Sequence, residues 1–205
     1  MLRHYLKHGF RALLRQRSYA LINLLGLGTG IASFILILLY LQHELSFDRH
    51  IPALHDTYRL VEIQRPPGID VQHVAITAGP WARELKENIP GVQNTLRMMG
   101  AGNSIIRIDD KVLRQGHAYF ADGSIISMWN IELLEGHPEL CLSEPNTAVL
   151  SRSTALRFYG TDQDIPGREF RLGEVPFVVS GLMEDYHYNT HLRFEMLLSY
   201  PTAEQ

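Results

Sequence analysis

The sequence predicts an α+β protein: a single membrane-crossing helix over residues 19–41, followed by a mixed α/β domain over residues 46–205 on the far side of the bilayer. Three observations carry this. The stretch from Tyr19 to Leu41 holds no charged residue. Every charge before it is basic (Arg3, Lys7, Arg11, Arg15 and Arg17), and the first acidic residue is Glu44. Beyond it, short apolar runs with strand character alternate with capped helical patterns, punctuated by Gly and Pro.

Residues 1–18 form a basic head. Leu2, Leu6, Phe10 and Leu13/Leu14 recur at helical spacing, and Arg3, Lys7, Arg11 and Arg15 recur every fourth residue beside them. That pattern predicts an amphipathic helix lying in the inner membrane interface, its cationic stripe facing anionic lipid. A bare topology signal that happens to be helical is the alternative. The next 23 residues would make a helix of roughly 34 Å, enough to cross a bilayer core of about 30 Å. Basic flanks stay in the cytoplasm, so the amino terminus is expected inside and the chain after Leu41 outside. A cleaved signal peptide has a shorter apolar core and small residues before the cut, whereas YLQHELSFDR follows here. The span is therefore expected to be a retained anchor. Gly26, Gly30 and Ser33 share one helix face, and such a small-residue face lets another helix approach closely. The GLGTG run within the span is not a dinucleotide loop, because that loop needs a preceding strand in a soluble βαβ unit.

The outer domain reads in order as follows. YRLVEIQ (58–64) and VQHVAITA (71–78) are predicted strands, joined by a Pro66-Pro67-Gly68 turn. Gly79-Pro80 opens a helix, WARELKEN, which Pro90-Gly91 stops. VQNTLRMM (92–99) and NSIIRI (103–108) are predicted strands, and Asp109-Asp110 turns the chain into KVLRQG. ADGSIISMW (121–129) is a predicted helix with Asp122 as its cap. TAVL (147–150) is a strand, Ser151 caps the helix RSTALRFY, and Gly160 ends it. EFRLGEVPFVVSGLME (169–184) is a hairpin, and RFEMLLSY (193–200) a last strand, expected to be left as an uncovered edge.

Charge narrows the function. The head holds five of the 19 basic residues and none of the 22 acidic ones, so the remainder has 14 basic against 22 acidic residues, a formal charge of about −8. An acidic outer domain excludes a nucleic-acid partner, which requires a basic face. The single cysteine, Cys141, cannot form an internal disulfide. A partly buried thiol is the expected role, an intermolecular bridge the alternative.

The chemistry-bearing patterns give no catalytic site. A phosphate loop needs G-x-x-x-x-G-K-[ST]; Gly160 to Arg168 imitates it with the wrong spacing and no lysine. No ATPase site is therefore expected in this chain. His187 and His191 stand four apart near Glu184 and Asp185, but the segment joins two strands and a loop is expected there, so no metal site is assigned. No nucleophile–base signature such as G-x-S-x-G is present. Asp109-Asp110 and Glu84/Glu87 read as solvated charges on a turn and a helix face. No catalytic, cofactor-binding or metal-binding residue is expected.

Three segments together resemble one known family. LRHYLKHGFRALLRQRSYALINLLGLGTGIASFILILLYLQHELSFDRH resembles the start of FtsX/MacB-like ABC transporter permeases: a basic elbow helix, a glycine-bearing first span, then an ELS-aromatic-DR segment. NIELLEGHPELCLSEPNTAVLSRSTALRFYG is similar to the family's turn, strand and Ser-capped helix. VVSGLMEDYHYNTHLRFEMLLS is similar to its segment around Asn-Ser-His, with Asn189-Thr190-His191 in that place and His191 as the structural histidine. The family's Pro-Ile-Gly appears as Ile165-Pro166-Gly167.

The resemblance implies a MacB-like periplasmic core with porter-like and inserted subdomains, in a bacterial inner membrane. It implies a separate or fused ABC ATP-binding protein whose motion the permease transmits outward, and further permease spans or a second permease subunit as partners. Such permeases have at least four spans and a core that continues past the LLS strand, so the chain is expected to be an amino-terminal portion. Export of peptides and toxins, lipoprotein release and activation of envelope enzymes are the roles that the family offers. A signal-anchored binding or sensor module is the rival reading.

The cationic stripe gives a direct expectation. Replacing Arg3, Lys7, Arg11 and Arg15 by glutamine in a peptide of residues 1–18 should weaken its binding to anionic vesicles by about 1 kcal/mol per charge. Vesicle co-sedimentation measures this, and equal binding of the native peptide to neutral vesicles would exclude an electrostatic role.

Overall fold

The computed structural model describes residues 15–52, 54–186 and 189–205. Of the basic head, Arg15 is described and exposed, while Arg3, Lys7 and Arg11 lie outside the described residues. The chain divides into two compact units, Met1–Phe47 and Asp48–Gln205.

The first unit contains helix α1, Arg17–Glu44, of 28 residues. Its most apolar window has a mean hydropathy of 2.3, and no residue of that window is buried by protein. An all-round apolar helix of this length, uncovered by protein, is long and apolar enough to cross a bilayer. Thr29 returns its hydroxyl to the Leu25 carbonyl at 2.8 Å, which satisfies it inside the helix.

The second unit is mixed α/β. Among the described residues, strands β1 (Glu62–Gln64) and β2 (Gln72–Val74) pair only with each other, in register Ile63 to His73. Helix α2 is Trp81–Asn88. Then come β3 (Met98–Gly100), β4 (Ser104–Ile108), β5 (Lys111–Gln115), β6 (Ala118–Ala121), α3 (Ser124–Met128) and β7 (Leu133–Gly136). The rest is β8 (Thr147–Ser151), α4 (Arg152–Tyr159), β9 (Glu169–Leu172), β10 (Val175–Met183), β11 (Met196–Ser199) and α5 (Tyr200–Ala203). Nine of these strands make one sheet, in the order β3-β6-β11-β8-β10-β9-β4-β5, with β7 added on β10. β10 is parallel to β8 and antiparallel to both β9 and β7, while β11 is parallel to β6 and antiparallel to β8.

The local reasons are visible in the sequence. Ser151 has extended backbone, and its hydroxyl accepts from the Thr154 N–H, a side-chain cap for α4. Gly160 ends that helix in the left-handed region at φ 74°. Asp109, at φ 48°, turns β4 into β5 as the two-residue loop requires.

Each face of the sheet has its own core. Ile106, Ala148, Leu150, Val179, Leu182, Met196 and Leu198 point to one face and pack with Ala155 and Phe158 of α4. Phe170 and Phe177 stack there with ring centroids 5.5 Å apart. Val149, Met183 and Leu197 point to the other face and meet Ile125 and Ile126 of α3, Cys141, Leu142 and Phe194. At the rim of the first core, Gln115 is buried and donates to Glu195 at 2.9 Å, and Arg157 of α4 donates to both.

Several expectations need correction. The last strand is not an edge: β11 lies inside the sheet between β6 and β8, all four of its residues are buried, and α5 follows it. β6 supplies the missing neighbour, and its four residues between Gly116 and Asp122 are too short to announce a strand. β7 was likewise not read. Asp122 does not cap α3, which begins at Ser124, because its carboxylate is taken by Arg97. The strand expected over 92–99 shrinks to Met98–Gly100, and those expected over 58–64 and 71–78 shrink to three residues each.

Gly136 and Gly181 face each other across β7 and β10. A Cβ on Gly136 would stand 2.7 Å from the Ser180 carbonyl oxygen, and its φ is +103°. Gly136→Ala should therefore cost about 3 kcal/mol through strain and overpacking together. Gly160→Ala, with φ +74° but open space around it, should cost only about 1 kcal/mol. Denaturant unfolding of the two variants checks the ranking.

Candidate functional site

The residues that follow α1 enter the outer unit at Asp48, and a polar clasp is built on that residue. Asp48 sits in the left-handed region at φ 57°, where Asp is one of the few tolerated side chains. Its N–H donates to the Asn189 carbonyl at 3.2 Å. Its Oδ1 accepts from the Thr190 hydroxyl at 2.6 Å and from the His191 N–H at 3.1 Å. Its Oδ2 meets His191 Nδ1 at 2.7 Å. The two partners are 143 residues apart in sequence, and the loop that holds them joins β10 to β11.

The clasp has a buried floor. Thr190 is buried, the Asp48 side chain is 17% exposed, and the His191 ring is largely open to solvent. Behind it the Tyr186 ring stacks on Phe194 at 4.4 Å and meets His50 edge-on at 4.9 Å, while its hydroxyl donates to the Trp129 carbonyl at 3.1 Å. Burial alone would raise the Asp48 carboxyl, but the hydrogen bonds from Thr190 and His191 outweigh it and hold the group below its ordinary 3.8. Burial pushes the Tyr186 phenol well above its usual range, so that hydroxyl stays a neutral donor.

A second polar node pins the carboxyl-terminal helix. The Arg97 guanidinium grips Asp122 through Nε at 3.0 Å and Nη2 at 2.8 Å, reaches Glu204 with Nη1, and lies over the Tyr200 ring at 4.0 Å. The hydrogen bonds to Asp122 raise the Arg97 pKa further. These contacts tie the residues flanking β3, β6 and α5 together, a structural arrangement.

The residues weighed from sequence fall as follows. Gly26, Gly30 and Ser33 lie on one face of α1, all exposed, and nothing comes within 4 Å of a Cβ built on either glycine. His191 turns to Asp48, away from the acidic pair once considered with it. Asp185 accepts from the Ser153 N–H at 3.0 Å, and Glu184 meets Arg152 at 3.5 Å. His187 lies outside the described residues, and among the described residues no cluster of three metal-ligating side chains exists. Cys141 is buried, and burial pushes its thiol up to about 11. Asp48 itself was not singled out in the sequence. The signal was there, since its ELSFDR segment and the Asn189-Thr190-His191 segment both carry the family resemblance.

The model of the MacB-like periplasmic core domain family matches residues 20–205. Among curated proteins none matches the chain. A domain of an assigned permease protein from Porphyromonas gingivalis is similar at 26% identity and a TM-score of 0.57, over 64% of this chain and 56% of that one. The periplasmic region of MacB from Actinobacillus actinomycetemcomitans is a looser likeness, at 15% identity and a TM-score of 0.49, over 60% and 54% of the two chains. The extracellular domain of the ABC-type transporter YknZ from Gram-positive bacteria gives 13% identity and a TM-score of 0.47, over 62% and 65%. The chain thus spans between about half and two thirds of these solved domains.

A depressed carboxylate contributes its stability in full above the unfolded pKa and loses it as pH falls through the folded value. Asn tolerates the left-handed backbone of position 48, so Asp48→Asn removes the charge and one acceptor oxygen while leaving the backbone undisturbed. At pH 7 this substitution should lower unfolding stability by about 2 kcal/mol. The deficit should begin to shrink as pH falls below 3.8 and vanish below the lower folded pKa, where Asp48 is protonated in both states. Urea unfolding of both proteins across this range measures it; a deficit that stays constant with pH would mean that the charge is irrelevant to the clasp.

Proposed function

Because the chain belongs to the family of MacB-like periplasmic core domains, we propose that it is a membrane subunit of an FtsX/MacB-type ABC permease, which carries ATP-driven motion of a partner ATPase to the outer side of the membrane. The observation that carries this reading is the Asp48 clasp. Four hydrogen bonds tie Asp48 to the loop between β10 and β11. In this reading the motion enters the outer unit at Asp48, and the clasp hands it to the loop between two strands of the central sheet. Three residues, Leu45 to Phe47, separate the end of α1 from Asp48.

The topology follows from the charge asymmetry: amino terminus in the cytoplasm, α1 across the inner membrane, residues 46–205 in the periplasm. The basic head, with Arg3, Lys7, Arg11 and Arg15, rests on anionic lipid. Gly26, Gly30 and Ser33 form the face on which other permease spans pack. ATP is hydrolysed by a separate ABC ATP-binding protein, and the outer unit serves in export or an envelope process.

Isolation of the tagged chain from its own membranes tests the proposal. An ABC ATP-binding protein and further permease spans should co-purify. Gly26→Leu with Gly30→Leu should reduce recovery of the spans several-fold without reducing membrane insertion, which needs apolarity alone. Recovery of the chain with neither partner would replace the permease reading by that of an anchored binding or sensor module.

A further inference from the structure

The central sheet is covered unevenly. Over β4, β5, β9 and the first half of β10, one face holds the first core, with Ile106, Phe170 and Phe177 buried, while the opposite face is open. The second core covers that opposite face over β6, β8, β11 and the Met183 end of β10. The open half is both cationic and aliphatic. Arg107 and Arg171 stand directly opposite each other across β4 and β9. Across β4 and β5, Arg114 lies opposite Ile105, and Val112 opposite Arg107. Val112 is 65% exposed, Ile105 46% and Val178 41%. Like charges directly opposite on neighbouring strands, with Cβ atoms about 5 Å apart, destabilise a sheet. The pairing is the more unusual because the chain beyond the head is acidic, with a formal charge of about −8. One carboxylate already relieves it. Glu174, on the turn between β9 and β10, meets Arg107 at 2.7 Å and Arg171 at 3.6 Å, so a single carboxylate fits between the two guanidinium groups. The Glu174 side chain is 83% exposed, and an ion pair on so open a side chain is weak and exchangeable. Glu169 is the one acid borne on this face by the four strands, and Arg114 is exposed with no ion pair among the described residues.

We propose that this open half-sheet docks an acidic segment of another protein. Its carboxylates take the place of Glu174 between Arg107 and Arg171 and reach Arg114, and its aliphatic side chains rest on Ile105, Val112 and Val178. This partner surface lies beyond the permease reading and does not depend on it. Charge and symmetry select the occupant. Planar guanidinium groups match carboxylates with two parallel hydrogen bonds, as the Glu174 contacts foreshadow. An anionic lipid surface repels a net acidic domain. A second copy that met this face with its own like face would set arginine against arginine, and one that met it with any other face would build rings or filaments instead of a closed pair. The chemistry required of the partner is therefore a surface segment in which two or more Asp or Glu residues alternate with apolar ones.

The test uses the full chain in its own membranes, with photoreactive benzoylphenylalanine at Val112 or Val178 and, as control, at Leu140 between β7 and β8. All three side chains are exposed, so the fold tolerates the probe. Irradiation should join the same protein to Val112 and Val178, at least fivefold above Leu140, and mass spectrometry should place the link in a segment with two or more carboxylates. Arg114→Gln with Arg171→Gln should cut the yield at least fivefold. Glu174→Gln, which removes the internal competitor, should raise it at least twofold. If Glu174 serves only to tie the hairpin, its loss loosens the face and the yield falls or stays level, and either result overturns the proposal. So do adducts indifferent to the arginine substitutions, adducts with a second copy of this chain, adducts with lipid alone, or no adduct. If the adducts form while no ATPase or permease span co-purifies, the permease reading alone fails. If those partners co-purify and the face stays unlinked, this inference alone fails.

Discussion

Burial of β8 and β11 on both faces is the constraint around which the outer unit is arranged. Four of the five residues of β8 and all four of β11 are buried. A strand in that position reads as continuous apolar sequence, as TAVLS and MLLS do, and it needs cover above and below. Helix α4 with its aromatic neighbours supplies one cover, and α3 with the segment around Cys141 and Leu142 the other. Remove either layer and the central strands would face water with leucine, valine and methionine.

The clasp gains its rigidity from this arrangement. The loop carrying Thr190 and His191 leaves one central strand and enters another, and Tyr186 and Phe194 seat its two ends in the second core. Asp48 therefore binds to a frame that cannot shift without disturbing the sheet. The hydrogen bonds are few, but they connect a position next to α1 with the most buried part of the outer unit.

How much of this the sequence shows depends on how local each signal is. Helices α2 and α4 were legible to the residue, because Pro80, Ser151 and Gly160 punctuate them within a few positions. The β4–β5 and β9–β10 hairpins were legible too, since Asp109-Asp110 and Gly173-Glu174 turn them locally. β6 and β7 were not, because four-residue strands owe their existence to partners far away in sequence. The interior place of β11 was missed for the same reason. Asp122 looked like a helix cap, and only the folded chain brings Arg97 to it. The Asp48 clasp joins positions 143 residues apart, which no periodicity or spacing can announce. Its two halves were visible as separate family segments, but their meeting was not.

The burial of Cys141 has a practical side. It is the only cysteine in the chain, it is 2% exposed, and its thiol is pushed up to about 11. The thiolate is the reactive form, and at neutral pH this residue holds almost none of it. The native protein is thus a chemically quiet background for labelling. A fluorophore or spin label attached to one newly introduced surface cysteine would report on that position alone, with no need to replace a residue from the core.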